Sequence, residues 1–305
     1  MKVAVIGAGN VGAAVARKTA ESDLAEVVML DIVEGVPQGK ALDLAQSGAV
    51  LDFGVHITGT NDYADIRDAA VVVVTAGFPR KPGMSRDDLV EANQKVVSSV
   101  ARQIKEYAAD SIIVLVTNPL DVMAYVAMTE TGFPRERVLG MAGVLDSARF
   151  RCFIAAELGV RPTDVSAMVL GGHGDSMVPL LSHTTVGGVP VSDLIPEGRL
   201  SEIVARTRTG GAEIVKLLGT GSAYYAPGAS AFLMVETILK DVKRVLPASV
   251  WTQGEYGIRD TFVGLPVVIG RKGLERVIEM SLTDQEKSDL VRSADAVRKV
   301  IQKLR

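Results

Sequence analysis

The chain opens with Val3-Ala4-Val5-Ile6-Gly7-Ala8-Gly9-Asn10-Val11-Gly12, an apolar run that leads directly into a glycine-rich turn. The run predicts a buried strand, and the residues after it predict a helix. In the pattern G-x-G-x-x-G, the first glycine permits a tight turn and the second lets a pyrophosphate approach the backbone. The third lets the helix pack closely on the strand, and amides at the helix N-terminus can bind phosphate. The stretch therefore predicts a dinucleotide site.

An acidic residue follows the next strand. Val27–Leu30 predicts that strand, and Asp31 comes directly after it. This is about 20 residues beyond the glycine turn, where an acid that grips the adenosine ribose is expected. Its carboxylate would repel the 2′-phosphate of NADP, and the neutral Ile32 offers that phosphate no cation. We therefore predict NAD as the cofactor. The alternative, an ordinary turn and helix cap, explains neither the spacing nor the acid.

The first half of the chain alternates strands with helices, whereas the second half does not. This alternation predicts an α/β domain with a doubly wound parallel sheet, the Rossmann fold, over residues 1–143. Residues 144–305 predict an α+β substrate domain with an antiparallel sheet. The predicted first-half elements are strands Val3–Ile6, Val27–Leu30, Val71–Thr75 and Ile112–Val116, and helices Gly12–Glu21, Gly39–Gln46, Asp87–Ala108 and Leu120–Thr129. The predicted later elements are helices Leu145–Leu158, Ser201–Leu218 and Ala229–Lys243, strands Ala248–Trp251 and Phe262–Ile269, and a helix from about Thr283.

Composition narrows the class of protein. The 305 residues include 33 basic and 36 acidic side chains, so the net charge of −3 predicts no bulk attraction to nucleic acid or to an anionic membrane. The longest uncharged run, Leu217–Val235, is interrupted by glycine and proline and is a poor membrane span. Cys152 is the one cysteine, which excludes an intrachain disulfide, and we expect it to be buried in a helix. We expect a cytoplasmic protein.

Two loops follow predicted parallel strands at their carboxyl ends, where such sheets bind ligands. The first, Gly77–Leu89, carries Arg80, Lys81 and Arg86; its alternative interpretation is a solvated basic loop. The second contains Asn118, which either caps the following helix or orients a substrate oxygen.

Two later segments contain candidate acid–base residues. Asp146 and Arg149 are one helical turn apart and share a face, which would also suit an ordinary surface ion pair. His173 lies in Gly171-Gly172-His173-Gly174, where few apolar neighbours are available for a core histidine. His56 and His183 lack such surroundings and are expected to be structural.

These segments occur in one order along nearly the whole chain, from Gly7 to Tyr225, and together they resemble the lactate/malate dehydrogenase family. The resemblance implies NAD-dependent hydride transfer to and from a small 2-hydroxy acid, with no metal. The matching blocks are Gly7–Gly12, Leu30-Asp31-Ile32, Arg80-Lys81-Pro82-Gly83, Asn118-Pro119, Asp146-Ser147-Ala148-Arg149 and Gly171-Gly172-His173-Gly174.

The resemblance also implies residue roles. His173 would exchange the proton with the substrate oxygen, and Asp146 would orient it. Arg149 would grip the C1 carboxylate, and Arg86 would stabilise charge that develops on the carbonyl oxygen as the loop closes and excludes water. Asn118 would hold cofactor and substrate in register. The full set of cofactor residues so implied is Gly7, Gly9, Asn10, Val11, Gly12, Asp31, Thr75, Ala76, Gly77, Asn93, Val116 and Asn118.

Arg80 bears on the choice of substrate. In lactate dehydrogenases the matching position is typically glutamine, whereas an arginine can pair with the second carboxylate of oxaloacetate. Ala223 stands where lactate dehydrogenases usually carry threonine, and the stretch Gly221–Pro227 looks like the lactate-dehydrogenase-like branch of malate enzymes. That branch commonly forms homotetramers. The resemblance thus implies malate and oxaloacetate as substrates, a step of the tricarboxylic acid cycle, and a homo-oligomer, either tetramer or dimer.

Other functions remain as alternatives. A lactate or broader 2-hydroxy-acid dehydrogenase is disfavoured by Arg80. An NAD-dependent glycosidase of the family that uses a cysteine metal ligand is disfavoured because Cys152 has no histidine near it in sequence. A short-chain dehydrogenase would need Tyr-x-x-x-Lys, and none of the six tyrosines has a lysine at that spacing. A non-catalytic NAD-binding protein would bind NADH without turnover.

Overall fold

A computed structural model describes residues 1–79 and 86–304, and of residue 86 it describes only the backbone. The strands are β1 Lys2–Ile6, β2 Glu26–Leu30, β3 Ile57–Thr60, β4 Val71–Val74, β5 Ile112–Leu115, β6 Val138–Gly140, β7 Val165–Ser166, β8 Val169–Leu170, β9 Val178–Pro179, β10 Thr185–Val186, β11 Val189–Pro190, β12 Arg244–Gln253, β13 Arg259–Gly270 and β14 Gly273–Val277. The helices are α1 Asn10–Glu21, α2 Val36–Leu51, α3 Arg86–Tyr107, α4 Leu120–Thr131, α5 Ala142–Leu158, α6 Val191–Leu194, α7 Glu197–Leu218, α8 Tyr225–Leu239 and α9 Asp284–Gln302.

The described chain forms two compact units, and the first contains a parallel sheet. Unit 1 comprises Met1–Met141, Tyr224–Arg244 and Ile269–Glu275. Its parallel strands lie in the order β3-β2-β1-β4-β5-β6. This is the order of a doubly wound dinucleotide-binding sheet, whose direction of winding reverses between β1 and β4. The α/β prediction is confirmed, and the carboxyl ends of β1 and β4 lie side by side.

The apolar sequences of the central strands explain why this sheet is buried on both faces. All four residues of β4 and all four of β5 are buried, as expected for a sheet that is covered on both faces. The four strands predicted from such runs are present to within one residue at each end. Strands β3 and β6 were not predicted, because β3 is the mixed sequence Ile57-Thr58-Gly59-Thr60 and β6 has only three residues.

Several helices differ from their predicted bounds, and α2 and α8 differ by three or more residues at both ends. Helix α2 begins at Val36 rather than Gly39, because Pro37 occupies the first turn, where its missing N–H is not needed. It continues to Leu51, and Asp52 ends it in a left-handed conformation with φ of 59°. Helix α8 spans Tyr225–Leu239, so it begins and ends four residues before the predicted Ala229–Lys243.

Unit 2 comprises Ala142–Ala223, Val245–Val268 and Arg276–Arg305, of which Arg305 lies outside the described residues. It contains the antiparallel sheets β11-β10-β7 and β8-β9, which confirms the predicted α+β class. Helix α9 begins after Thr283 with a capping box, in which Thr283 and Glu286 bond each other's backbone amides. The second half of the chain contributes α8 to unit 1 and not to unit 2. The predicted functional division at residues 143 and 144 stays a prediction.

The exposure of Cys152 on helix α5 differs from the prediction. Its buried face, which includes Phe150, Ile154 and Ala155, packs in the core of unit 2. Cys152 is exposed rather than buried, so the expectation for it was wrong. An apolar run within a helix turns around the helix axis, and only part of it can face the core.

Candidate functional site

The glycine-rich turn after β1 is shaped by close backbone contacts. Gly7 has a φ of +103°, and a Cβ there would lie 2.6 Å from the Ala76 amide nitrogen. A Cβ on Gly12 would lie 1.9 Å from the Gly7 carbonyl oxygen. At Gly9, by contrast, an added Cβ would meet no atom of the described chain within 4 Å. Gly7 and Gly12 are therefore required by the fold, whereas Gly9 leaves open space in front of the turn.

The start of α1 faces this open space. Helix α1 begins at Asn10, and no side chain among the described residues caps it at Gly9. The amides of Asn10 and Val11 are thus in the first turn of an uncapped helix, where orphan N–H groups attract an anion. This end of the turn fits the pyrophosphate of a dinucleotide.

Asp31 is bonded to the turn. Its Oδ2 accepts a hydrogen bond from the Ala8 amide at 2.7 Å, and its Oδ1 accepts one from the Val33 amide at 3.0 Å. A carboxylate has about four lone-pair sites, so acceptor capacity remains for ribose hydroxyls. The predicted ribose contact is compatible with this position.

Lys40 is a residue that the sequence analysis missed. Its Nζ in α2 donates a hydrogen bond to the Ala8 carbonyl oxygen at 2.6 Å. The Ala8 residue is therefore held by Asp31 at its N–H and by Lys40 at its carbonyl. No local pattern indicates the second contact, because the two residues are 32 positions apart.

The ends of β4 and β5 complete this region. The hydroxyl of Thr75 donates to the Gly7 carbonyl oxygen at 2.9 Å, and that of Thr117 donates to the Ala76 carbonyl oxygen at 2.7 Å. Val116 continues the ladder by donating its amide to the Val74 carbonyl oxygen at 2.9 Å. The predicted cofactor residues Thr75, Ala76 and Val116 thus lie at adjacent strand ends.

Asn93 is fully buried and contacts backbone alone among its recorded partners. Its Oδ1 accepts from the Phe78 amide at 2.7 Å, while its Nδ2 donates to the carbonyl oxygens of Phe78 at 3.0 Å and Asn118 at 2.6 Å. Because both amide hydrogens are used, Asn93 holds the chain after Gly77 against the chain at Asn118. The predicted role of Asn93 in cofactor binding stays a prediction.

Asn118 does not cap α4. The N-cap of that helix is Pro119, without a side-chain cap, so the capping interpretation was wrong. The side chain of Asn118 lies at an exposed position after β5, and it is the carbonyl oxygen that Asn93 binds. The alternative role, orientation of a substrate oxygen, stays a prediction.

A second cluster lies in unit 2 and consists of side chains. Asp146 on α5 is only 2% exposed; its Oδ2 lies 2.8 Å from Nδ1 of His173 and its Oδ1 lies 3.2 Å from Nη1 of Arg149. The Arg149 side chain is 13% exposed, so the surface-ion-pair interpretation was wrong. One buried carboxylate therefore joins the histidine and the arginine.

The loop that carries His173 is fixed by its neighbours. It follows β8, and the Gly172 amide donates to the Ser293 hydroxyl at 2.8 Å. Gly171 exchanges hydrogen bonds of 2.9 Å with Gly264 in both directions. These contacts fix the backbone just before His173, and Asp146 accepts the hydrogen bond of the Nδ1–H when the ring is protonated.

Arg149 is held in an environment that is unfavourable for its charge. Burial lowers the pKa of its guanidinium, and the charge of Asp146 acts in the opposite direction. Its Nε is buried and has no hydrogen-bond partner within the described part of the chain. A guanidinium has five N–H donors, so this group is suited to a carboxylate ligand.

The side chains of three predicted site residues lie outside the part of the chain that the structure describes. Arg80 and Lys81 belong to residues 80–85, and of Arg86 only the backbone is described, at the start of α3. Their predicted roles, and the predicted closure of the loop, stay predictions. The described residues contain no group of three or more potential metal ligands, and none of their helices is long and apolar enough to cross a membrane.

Comparison with known proteins relates both halves of the chain to one family. Residues 1–140 match the NAD-binding domain of lactate/malate dehydrogenases, and residues 143–305 match the α/β C-terminal domain of the same family. A malate dehydrogenase of Desulforudis audaxviator is 55% identical over 99% of this chain and 98% of its own length.

Solved structures agree over the whole chain. The malate dehydrogenase of Salinibacter ruber superimposes with a TM-score of 0.96 at 53% identity, covering 100% of this chain and 97% of that one. A lactate dehydrogenase of Cryptosporidium parvum, complexed with lactic acid and NAD, gives 0.96 at 44% identity, with coverage of 99% and 97%. Enzymes named for either substrate therefore share this fold.

Proposed function

Because the chain belongs to the lactate/malate dehydrogenase family, we propose that it interconverts malate and oxaloacetate with NAD as its cofactor. The observation that carries the chemistry is the buried carboxylate of Asp146, which contacts both His173 and Arg149. A proton-transfer group and a carboxylate-binding group are thereby positioned by one anion. We assign nucleotide binding to the domain of residues 1–143 and substrate binding to that of residues 144–305.

NAD supplies the hydride acceptor for malate oxidation and, when reduced, the hydride donor for oxaloacetate reduction. The protein would hold it at the start of α1, which no described side chain caps, and in the space at Gly9. Asp31 would accept hydrogen bonds from the ribose while its Oδ2 accepts the one from the Ala8 amide. The same carboxylate disfavours the additional phosphate of NADP by charge repulsion.

His173 moves the proton. In oxaloacetate reduction, the protonated ring donates from Nε2 to the carbonyl oxygen, which becomes the malate hydroxyl; in malate oxidation, the neutral ring takes that proton back. Asp146 stabilises the ring in its protonated state and keeps its Nδ1 edge directed inward. Arg149 binds the carboxylate next to the reacting carbon, and Arg86 stabilises negative charge on the carbonyl oxygen.

Arg80 selects oxaloacetate over pyruvate. The shared fold of malate and lactate enzymes does not select between them, so the choice rests on side chains. Oxaloacetate has a second carboxylate and pyruvate does not. A cation left without its partner in a closed site costs about 3–5 kcal/mol, which corresponds to a discrimination of about 10²–10⁴-fold.

The test is NADH oxidation with oxaloacetate and pyruvate in parallel. We expect kcat/KM for oxaloacetate to exceed that for pyruvate by about 10²–10⁴-fold, and the variant Arg80→Gln to reduce that ratio. Arg80→Lys should be intermediate, because a lysine is a point charge without the guanidinium fork. Faster turnover of pyruvate by the wild type would contradict the proposal. An unchanged ratio in Arg80→Gln would assign the selectivity to another residue.

We further propose that the protein is a cytoplasmic homo-oligomer, a tetramer or a dimer, and that it serves the tricarboxylic acid cycle, without nucleic-acid or membrane partners. Large exposed apolar side chains support association: Leu42 and Val50 on α2 are 62% and 83% exposed, and Leu217 on α7 is 79% exposed. Light scattering during size-exclusion chromatography tests the assembly, and a monomer at micromolar concentration would contradict it.

A further inference from the structure

Two adjacent glycines lie far inside a long helix of unit 2. Helix α7 spans Glu197–Leu218, and Gly210 and Gly211 lie several residues from either end. Apart from proline, glycine is the poorest helix former, so an interior pair weakens the helix relative to alanine. Neither glycine has a positive φ, so the backbone conformation does not require them. Another reason for this pair must lie in their surroundings.

The surroundings of both glycines contain the same side chain. A Cβ on Gly210 would lie 3.3 Å from Cδ of Arg149, which is tighter than an ordinary contact. A Cβ on Gly211 would lie 3.5 Å from Nη2 and 3.8 Å from Nη1 of Arg149. The arginine from α5 therefore lies beside both glycines, with its Cδ next to the place of a side chain at residue 210 and its guanidinium next to that at residue 211.

The missing side chains leave space beside the guanidinium. Asp146 holds one nitrogen of Arg149, and α7 presents no side chain to it at residues 210 and 211. The Nε is buried and has no described partner, so hydrogen bonds hold this side chain at one end only. An added methyl group at either glycine would lie within 3.3–3.5 Å of this side chain, so the position of Arg149 depends on the absence of side chains there.

We propose that Gly210 and Gly211 are positioning residues whose missing side chains leave Arg149 the space in which it binds the substrate carboxylate. An alanine at residue 210 pushes the methylenes by a few tenths of an ångström. An alanine at residue 211 adds a methyl group against the guanidinium nitrogens and removes space for movement or for a ligand. This inference rests on the proposed function through the role of Arg149.

The experiment compares Gly210→Ala, Gly211→Ala and the control Gly198→Ala with the wild type. Gly198 lies on the same helix, and an added Cβ there meets no described atom within 4 Å. For each protein we would measure urea unfolding, the Kd of NADH, the KM and kcat with oxaloacetate, and the Kd of oxamate with NADH bound. Oxamate has a single carboxylate, so its affinity depends on the grip of Arg149; because Arg80 disfavours a ligand with one carboxylate, the titration extends to concentrations that saturate a weak ligand.

We expect stability and substrate binding to change in opposite directions. The urea midpoints of Gly210→Ala and Gly211→Ala should equal or exceed that of the wild type, because alanine favours the helix. Oxamate Kd and oxaloacetate KM should rise about tenfold, because the displacement is smaller than the misplacement of about 1 Å that can cost about 10²-fold. NADH Kd should stay unchanged, kcat should fall less than KM rises, and Gly198→Ala should match the wild type.

Three results would overturn the inference. They are unchanged oxamate and oxaloacetate binding in both variants, a lowered urea midpoint in both, and an effect of Gly211→Ala that persists in an Arg149→Ala background. The second would show that the glycines serve folding. If the wild type does not reduce oxaloacetate at all, the proposed function fails, and the oxamate affinities still decide the role of the glycine pair.

Discussion

The nucleotide region of unit 1 and the acid–base cluster of unit 2 are built from different kinds of contact. Around the glycine turn, side chains such as Asp31, Lys40 and Thr75 bind backbone groups of the chain. In the second region, Asp146 binds the side chains of His173 and Arg149. The first region is a surface of main-chain amides supported by side chains, and the second is a set of charged side chains that support each other.

This difference predicts different sensitivities to substitution. A backbone-built site depends on space and conformation, so many side-chain changes leave it intact while an added Cβ at the wrong place does not. A buried charged cluster depends on every member, because removal of one partner leaves a desolvated group uncompensated. The largest losses are therefore expected in unit 2.

The largest effect is expected at the proton-transfer group. His173→Asn retains a polar side chain near Asp146 but has no group that titrates near neutral pH. We expect kcat for oxaloacetate reduction to fall about 10²–10⁴-fold, the usual contribution of general acid–base catalysis, while the Kd of NADH stays unchanged. Stopped-flow and steady-state assays measure the first, and fluorescence titration with NADH measures the second.

A matched control is His183→Asn. His183 is also in unit 2, and its Nδ1 lies 2.8 Å from the Ser182 hydroxyl, away from Asp146 among its recorded contacts. It should retain wild-type turnover. A His173→Asn variant with more than about a tenth of wild-type kcat would rule out the assigned role, and an equal loss in both variants would indicate general damage to unit 2.

The same difference explains what could be predicted from the sequence. The glycine turn and Asp31 follow from short-range spacing, and so does the shared face of Asp146 and Arg149, one helical turn apart. The pairing of Asp146 with His173 joins residues 27 positions apart, and it was expected only through the family resemblance. The role of the cluster in catalysis remains a prediction, although its geometry agrees with it.

Features that depend on tertiary contacts were missed. The hydrogen bond from Lys40 to Ala8 and the packing of Arg149 on Gly210 link separate elements, and no periodicity indicates them. The exposure of Cys152 depended on the direction in which α5 presents its buried face. Strand β6 is too short for a local pattern, and it forms because Val114 and Leu115 on β5 provide a hydrogen-bonding edge.

The next largest effect is expected in the backbone-built region. It is tested by comparing alanine variants of two glycines of the turn. Gly9→Ala adds a methyl group in the open space, whereas Gly12→Ala drives one into the Gly7 carbonyl oxygen. We expect Gly9→Ala to unfold at the wild-type urea midpoint but to bind NADH about 10–100-fold more weakly, because the methyl group occupies the place of the ligand. Gly12→Ala should be destabilised by about 1–3 kcal/mol, the usual cost of overpacking, and should lose NADH affinity with it.

Urea unfolding and NADH titration of both variants test whether Gly12 is required by the fold and Gly9 by the ligand. Normal NADH binding by Gly9→Ala would show that no ligand occupies the space in front of Gly9. Wild-type stability of Gly12→Ala would mean that α1 can move away from β1 at little cost, and the division between fold and ligand requirements would then be wrong.

The smallest effect is expected at Lys40, which tests whether support of the turn matters when the turn itself is intact. Lys40→Met keeps the length of the side chain but removes the hydrogen bond to the Ala8 carbonyl oxygen, while Asp31 still holds the Ala8 amide. A hydrogen bond from a charged group contributes about 1.5–3 kcal/mol when buried, and Lys40 is only partly buried. We therefore expect the Kd of NADH to rise by a factor of about three to ten, with kcat unchanged, because the contact lies at the turn and not at the reacting carbon.

Lys95→Met is the control, since Lys95 is exposed on α3 and its recorded ion pair is with Glu91. Lys40→Arg should restore most of the affinity, because the guanidinium can still donate to the carbonyl. An equal rise in Kd for Lys40→Met and Lys95→Met would show a general effect of charge on binding of the anionic cofactor. A fall in kcat as large as that of His173→Asn would contradict the contrast between a region that binds through its backbone and a cluster that reacts through its side chains.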